Sequence, residues 1–291
     1  MTATLSLRRG HTSATLCPAT GGSIVSLCWR GIELLRPASA QSPVRQMGMF
    51  TLVPYSNRIG YGQLPGETPL RANFAPEPHS VHGFGWQRPW QMVQASADSA
   101  RLELAHQADE DWPFACHAAL QVALGEDGAM LHLSLTNTDA RPMPAGLGFH
   151  PYFPVDASTG LRAAWDGRWE LDAAHLPCQL APVTARDDFH RARPVSDWIV
   201  DHCFTGWDGS ATLDYPSHSV HISAGPECPY LVCFRPADGR PFIALEPVSH
   251  VSNAHQLELR GVARTGLRLL APGVTFTISM AIRATPTGTS P

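Results

Sequence analysis

Apolar and polar residues alternate through most of this chain. Near the C-terminal end Val274, Phe276, Ile278, Met280 and Ile282 fall on one side of an extended segment, and Thr275, Thr277 and Ser279 on the other. Leu131, Leu133 and Leu135 alternate with His132, Ser134 and Thr136. The same spacing recurs in Leu120, Val122 and Leu124, in Leu102 with Leu104, in Val220 with Ile222, and in Leu257 with Leu259. A period of two is the signature of a β-strand, because successive side chains leave opposite faces of the backbone. Turn-forming runs such as Gly125-Glu126-Asp127-Gly128, Pro236-Ala237-Asp238-Gly239 and Pro272-Gly273 separate these segments. The 26 prolines and 24 glycines leave little room for long helices. Strands with one solvated face pair antiparallel. The pattern therefore predicts an all-β fold, one large antiparallel β-sandwich domain over residues 1–283. Residues 284–291, made of Thr, Pro, Gly, Ala and Ser, are expected to be a disordered tail. No internal repeat divides the chain.

Composition narrows the partners. The 291 residues suffice for a large core, since a fold of this size buries roughly three-quarters of its unfolded surface. Charged residues make up 16%, below the usual ~25%. A net charge of -4 offers no concentrated basic face for nucleic acid. No run approaches the ~20 apolar residues that span a bilayer, so no membrane partner is expected. The first ten residues lack the basic segment and apolar run of a secretory signal, which makes the cytoplasm the expected compartment. The seven cysteines, an odd number without a metal-type pair, read as reduced and mostly buried thiols. His79 and His82 are spaced as HxxH, but Pro76, Pro78 and Gly83 disfavour a helix there and no third ligand is near in sequence, so no metal is expected.

Three segments place a proton-handling side chain in apolar, turn-rich surroundings: Val81-His82-Gly83-Phe84-Gly85-Trp86, Gly148-Phe149-His150-Pro151-Tyr152-Phe153, and Ala244-Leu245-Glu246-Pro247. Two histidines and a carboxylate are a minimal set for moving a proton from one oxygen to another, and neighbouring aromatics offer flat surfaces for a sugar ring. Glu246 follows the apolar run Pro241–Leu245 and precedes Pro247, which places it at the end of a buried strand. Burial would raise its pKa from ~4.3 toward the roughly 6–7 that suits a general base. His150, also followed by a proline, is biased toward extended backbone, and as a strand-end residue can project its ring onto a sheet face. Asn57-Arg58, in a glycine-rich turn, sets an amide beside a guanidinium fork suited to sugar oxygens. Asp201, in Val200-Asp201-His202-Cys203-Phe204, can accept hydrogen bonds from hydroxyls. Taken singly, each has an ordinary structural reading: a satisfied buried histidine, a paired glutamate, a surface arginine or a turn-capping aspartate. Their joint occurrence points to acid/base chemistry on a carbohydrate.

The segments occur in the order Asn57-Arg58, His82-Gly83, Gly146-Leu147-Gly148-Phe149-His150-Pro151-Tyr152-Phe153, Asp201-His202-Cys203-Phe204, Glu246-Pro247. In this order the chain, from about Thr15 to Ile282, resembles the aldose 1-epimerase (mutarotase) family, in its compact bacterial branch. The resemblance implies the galactose-mutarotase-like supersandwich fold and the interconversion of α and β anomers of a free aldose, without a cofactor. It further implies Glu246, His150 and His82 as catalytic residues, with Glu246 taking the proton from the anomeric hydroxyl and His150 delivering one to the ring oxygen. Arg58, Asn57 and Asp201 would bind hydroxyls, and Trp86 or a neighbouring aromatic would stack on the sugar. A hexose-phosphate mutarotase would need further cationic groups, for which Arg58 and Arg88 are candidates. A glycosidase would use Asp201 with Glu246 but leave the histidines unexplained. A non-catalytic sugar-binding protein would have no need of the full acid/base set.

Overall fold

The computed structural model describes residues 3–287. Two large antiparallel sheets pack face to face. The first has eleven strands. At its centre Met49–Leu52, Gly148–Pro154, Phe242–Val248, Tyr230–Arg235 and Val200–Thr205 lie side by side in that order. The second has nine strands and runs from Arg193–Pro194 through Thr275–Pro286 and Gly128–Asn137 to an exposed edge at Gln91–Ala95.

Alternation along the strands produces this packing. In the second sheet Leu120, Val122, Leu131, Leu133, Leu135, Ile278 and Ile282 point into the space between the sheets, as their spacing predicts. In the first sheet the two parities serve two different clusters. Phe149, Phe153, Phe204, Leu231, Ile243 and Leu245 join the inter-sheet core. Phe50, Tyr152, Cys203, Val232, Phe242 and Ala244 point the other way and form a second cluster. Loops cover that far face, so every residue from Phe242 to Val248 is buried and the expected solvated face is missing there. Each fully buried Phe, Leu or Ile adds roughly 1.5–3 kcal/mol of transfer free energy, so burial on both faces holds this stretch in place.

Four local expectations are corrected. Leu257 and Leu259 belong to the short helix Ala254–Leu259, with Leu257 buried and Leu259 exposed, because two residues are too few to separate the periods 2 and 3.6. Val274 is exposed and precedes its strand, which begins at Thr275. Ala284, Thr285 and Pro286 are ordered, since that strand continues along Val220, Ser219 and His218. The rest of the expected tail, 288–291, lies outside the described residues. Finally, neither Pro151 nor Pro247 ends its strand: each removes one donor, and pairing with both neighbouring strands carries the backbone through. Among the described residues no helix is long and apolar enough to cross a membrane.

Candidate active site

Strand register brings the acid/base residues together. Gly148 faces Val248 and Tyr152 faces Ala244, which sets His150 across from Glu246 on the covered face. On its other side His150 pairs with Phe50. The result is a contact of 3.2 Å between His150 Nε2 and Glu246 Oε1, with the Phe50 ring centroid 4.6 Å from the imidazole. The Tyr152 ring stacks on His150 at 4.5 Å, and its hydroxyl lies 3.5 Å from the same Nε2. His150 Nδ1 and Glu246 Oε2 are both buried without a hydrogen-bond partner. Unsatisfied buried polar atoms are costly, and two on facing central residues single this contact out as a candidate site.

Loops supply the opposite wall. Asn57 and His82 both adopt left-handed backbone, with φ of 61° and 62°. They lock together: His82 N–H donates to the Asn57 carbonyl (2.8 Å), and Asn57 N–H donates to His82 Nδ1 (3.0 Å). An Nδ1 that accepts leaves the proton on Nε2, so His82 is a neutral donor of fixed tautomer. Its ring stands edge-on to His150, 5.3 Å between centroids. Gly83 follows with φ of 67°, and a Cβ there would meet the Val53 carbonyl oxygen at 2.0 Å. Arg58 lies on a two-residue strand facing Val81. Its guanidinium holds Glu77 in a bidentate pair, 2.7 and 2.8 Å, and approaches Asp201 at 3.8 Å. Its third nitrogen donates to the Asn57 side-chain oxygen (3.1 Å), which also accepts from the Ser252 hydroxyl (3.0 Å).

Burial dominates the electrostatics. It pushes the Glu246 carboxyl well above the usual range, and the nearby Asp201 charge adds to that while Arg58 opposes it. Burial also pulls His150 well below its ordinary value, reinforced by His82 and Arg36. His82 falls to about 3 through burial, with Arg58 and Arg45 adding to it. Although burial acts against it, Arg58 holds Glu77 below the usual carboxylate range. Burial thus favours the neutral forms of both His150 and Glu246, which lie 3.2 Å apart, and keeps His82 neutral.

These groups line a cleft of about 240 Å³, close to the lower end of the roughly 300–1,000 Å³ of small-molecule pockets. Of the residues expected from sequence, Asn57, Arg58, His82, His150, Asp201 and Glu246 all line it. Trp86 does not. Its ring sits behind the wall against Phe50 and Phe74, with Nε1 donating to the carbonyls of Val81 and Gly83, so its role is to brace the His82 turn. Arg88 is also elsewhere, bound to Asp109 (2.6 Å) and Asp111 (2.7 Å). His79, the other half of the HxxH pair, uses both ring nitrogens on backbone groups of Tyr61 and Ala174. Among the described residues no cluster of three or more His, Cys, Asp or Glu side chains is placed to hold a metal.

Sequence reasoning missed several lining residues: Tyr152, Phe234 and Phe242, and from loops Arg45, Phe74 and Glu77. Tyr152 and Phe242 carried a signal, since each is an even number of residues from His150 or Glu246 on the same strand and so shares its face. The loop residues carried none.

The described residues thus form a large antiparallel β-sandwich with a buried His–Glu contact on a covered sheet face. The sequence matches the aldose 1-epimerase family over residues 3–283, and the chain belongs to that family. It is 30% identical over 288 residues to the uncharacterized protein YphB of Escherichia coli (strain K12), covering 94% of this chain and 96% of that one. The fold superimposes on a candidate aldose 1-epimerase from Escherichia coli K12 with a TM-score of 0.88 and 27% identity, covering 98% and 99% of the two chains. A galactose mutarotase-like protein from Clostridium acetobutylicum shares the fold at a TM-score of 0.85 and 19% identity, over 98% of this chain and 95% of that one.

Proposed function

We propose that this protein is a mutarotase, interconverting the α and β anomers of an aldose by acid/base opening and closure of the ring. The observation that carries the reading is the 3.2 Å contact of His150 and Glu246, each with a second polar atom buried and unsatisfied. Once the proton carried by Glu246 has moved to His150, the Glu246 carboxylate removes the proton from the anomeric hydroxyl while the imidazolium protonates the ring oxygen. The C1–O5 bond breaks as the carbonyl forms, and the pair is left as carboxylic acid and neutral imidazole. Rotation about C1–C2 exposes the other carbonyl face. The same transfers run backward, Glu246 returning its proton to the carbonyl oxygen and His150 taking one from the ring hydroxyl. Each group thus serves as acid and as base, which suits a pair whose single proton can sit on either partner.

His82 donates a hydrogen bond from Nε2 to the ring or anomeric oxygen. Its depressed pKa makes it a fixed dipole rather than a proton store. Arg58, held by Glu77, and Asp201 position hydroxyls; Phe74, Phe234 and Phe242, rather than Trp86, offer apolar faces to the ring. The substrate is a monosaccharide.

The test is optical rotation or NMR exchange on freshly dissolved α-aldoses. Wild-type protein accelerates equilibration. Glu246→Gln, which keeps the shape and removes the base, lowers kcat by about 10²–10⁴-fold while sugar still binds. An unchanged rate in Glu246→Gln would remove the residue from the reaction.

A further inference from the structure

The mouth of the cleft is cationic in a way that a neutral sugar does not need. Arg45 and Arg240 both line it and are both exposed. The Arg45 guanidinium lies 3.7 Å from the centre of the Phe74 ring, and that of Arg240 lies 5.0 Å from the centre of Phe242. Behind them Arg36 rests 3.9 Å from the Tyr152 centroid and 4.6 Å from that of Phe242. It donates to the backbone carbonyls of Arg45 (2.9 Å) and Met47 (2.8 Å), which pins the segment carrying Arg45. Three guanidiniums therefore gather beyond Tyr152, the residue whose other neighbour is the catalytic imidazole.

The three acids of the cleft are placed away from this group. Glu77 is bound by Arg58, Asp201 lies 3.8 Å from the same Arg58 guanidinium, and Glu246 is held toward its neutral form. Arg45 has no carboxylate within 4.0 Å among the described residues. Arg240 pairs with Asp238 at 2.9 Å, an exposed pair within one turn that an incoming anion can displace. Stacking on an aromatic ring fixes a guanidinium while leaving its N–H edge open, the arrangement that suits a bidentate oxyanion.

We propose that the aldose taken by this cleft carries an oxyanion, a phosphate monoester or a carboxylate, at the end remote from its anomeric carbon, and that Arg45 and Arg240 bind it. The inference rests on the mutarotase reading and names its substrate class. Of the two phosphate-binding candidates from sequence, Arg88 is committed to Asp109 and Asp111 and Arg58 to Glu77.

The experiment compares glucose, glucose 6-phosphate and glucuronate by NMR exchange, with the intact protein and with Arg45→Gln and Arg240→Gln. At least one anionic sugar is expected to show kcat/KM about tenfold or more above glucose, and the ratio is expected to fall about tenfold in either variant. Preference for glucose 6-phosphate identifies a phosphate ligand, and preference for glucuronate a carboxylate. A wild-type ratio near one, or a ratio that both variants leave intact, overturns the inference while the mutarotase reading stands. If no aldose is turned over, that reading fails, and calorimetric titration with the same three sugars still decides this one. Tighter binding of an anionic sugar, lost in Arg45→Gln, supports the cationic mouth; equal binding of all three refutes it.

Discussion

Acidification should unfold this protein well before its carboxylates titrate. His82, His250 and His255 are buried, and burial lowers them to about 3, 4 and 3. His250 is further fixed by its partners: Nε2 accepts from Ser56 N–H at 3.2 Å and Nδ1 donates to the Val251 carbonyl at 3.0 Å, so protonating Nε2 would break the first bond. In the unfolded chain all three titrate near ~6.5. Between that value and about 4 the unfolded state binds protons that the native state refuses, so stability is full above pH ~6.5 and is lost as pH falls through the window. At pH 5 each histidine lies about 1.5 units below its unfolded pKa, worth about 2 kcal/mol at 1.36 kcal/mol per unit. The three together give about 6 kcal/mol between pH 7 and 5, with His250 and His255 close enough to repel one another when charged, against a total stability of roughly 5–15 kcal/mol. His150 and Glu246 shift in opposite senses and largely offset one another. Urea unfolding followed by tryptophan fluorescence, repeated from pH 8 to 4.5, measures the slope. His255→Leu, away from the cleft, should reduce the loss between pH 7 and 5 by about 2 kcal/mol. A wild-type loss under ~2 kcal/mol would refute the reasoning, because the buried histidines would then have to be protonated in the native state.

Gly83→Ala forces a side chain into left-handed backbone and against the Val53 carbonyl, where a Cβ would come within 2.0 Å. The conformational strain alone is about 1–2 kcal/mol, so a lower Tm and a sharply reduced turnover through displacement of His82 are expected; an unchanged melt would contradict the turn geometry. Glu77→Gln leaves Arg58 without its charged partner, and a charge-assisted bond of this kind is worth about 1.5–3 kcal/mol. Its expected effect is a raised KM with a smaller change in kcat, read from saturation kinetics, and a selective loss of kcat would instead place Glu77 in the proton path. Phe234→Ala removes an apolar face of the cleft and should weaken sugar binding in calorimetry while the thermal melt changes little.

Much of this molecule was legible in its sequence. The alternation at 120–124, 131–135 and 276–282 specified strands and which of their residues face the core, because a period of two has one geometric meaning when sustained. The order of Asn57-Arg58, His82-Gly83, His150-Pro151, Asp201 and Glu246-Pro247 pointed to the family and to six residues that the cleft assembles. Where the pattern was short it misled: Leu257 and Leu259 fit strand and helix alike, and two prolines read as strand ends lie inside central strands. What tertiary structure alone decided is which distant groups meet. Register set His150 opposite Glu246, and one residue of slip would have turned either side chain into the inter-sheet core. The covering loops made the outer face of the sheet dry, and that burial drives Glu246 and His150 toward neutrality. Glu77, Arg45 and Phe74 come from those loops, whose positions follow no periodicity, so their place at the cleft could be known only once the chain had folded. Trp86 shows the converse, an aromatic beside a cleft-lining histidine in sequence whose indole turns away to hold the backbone that positions it.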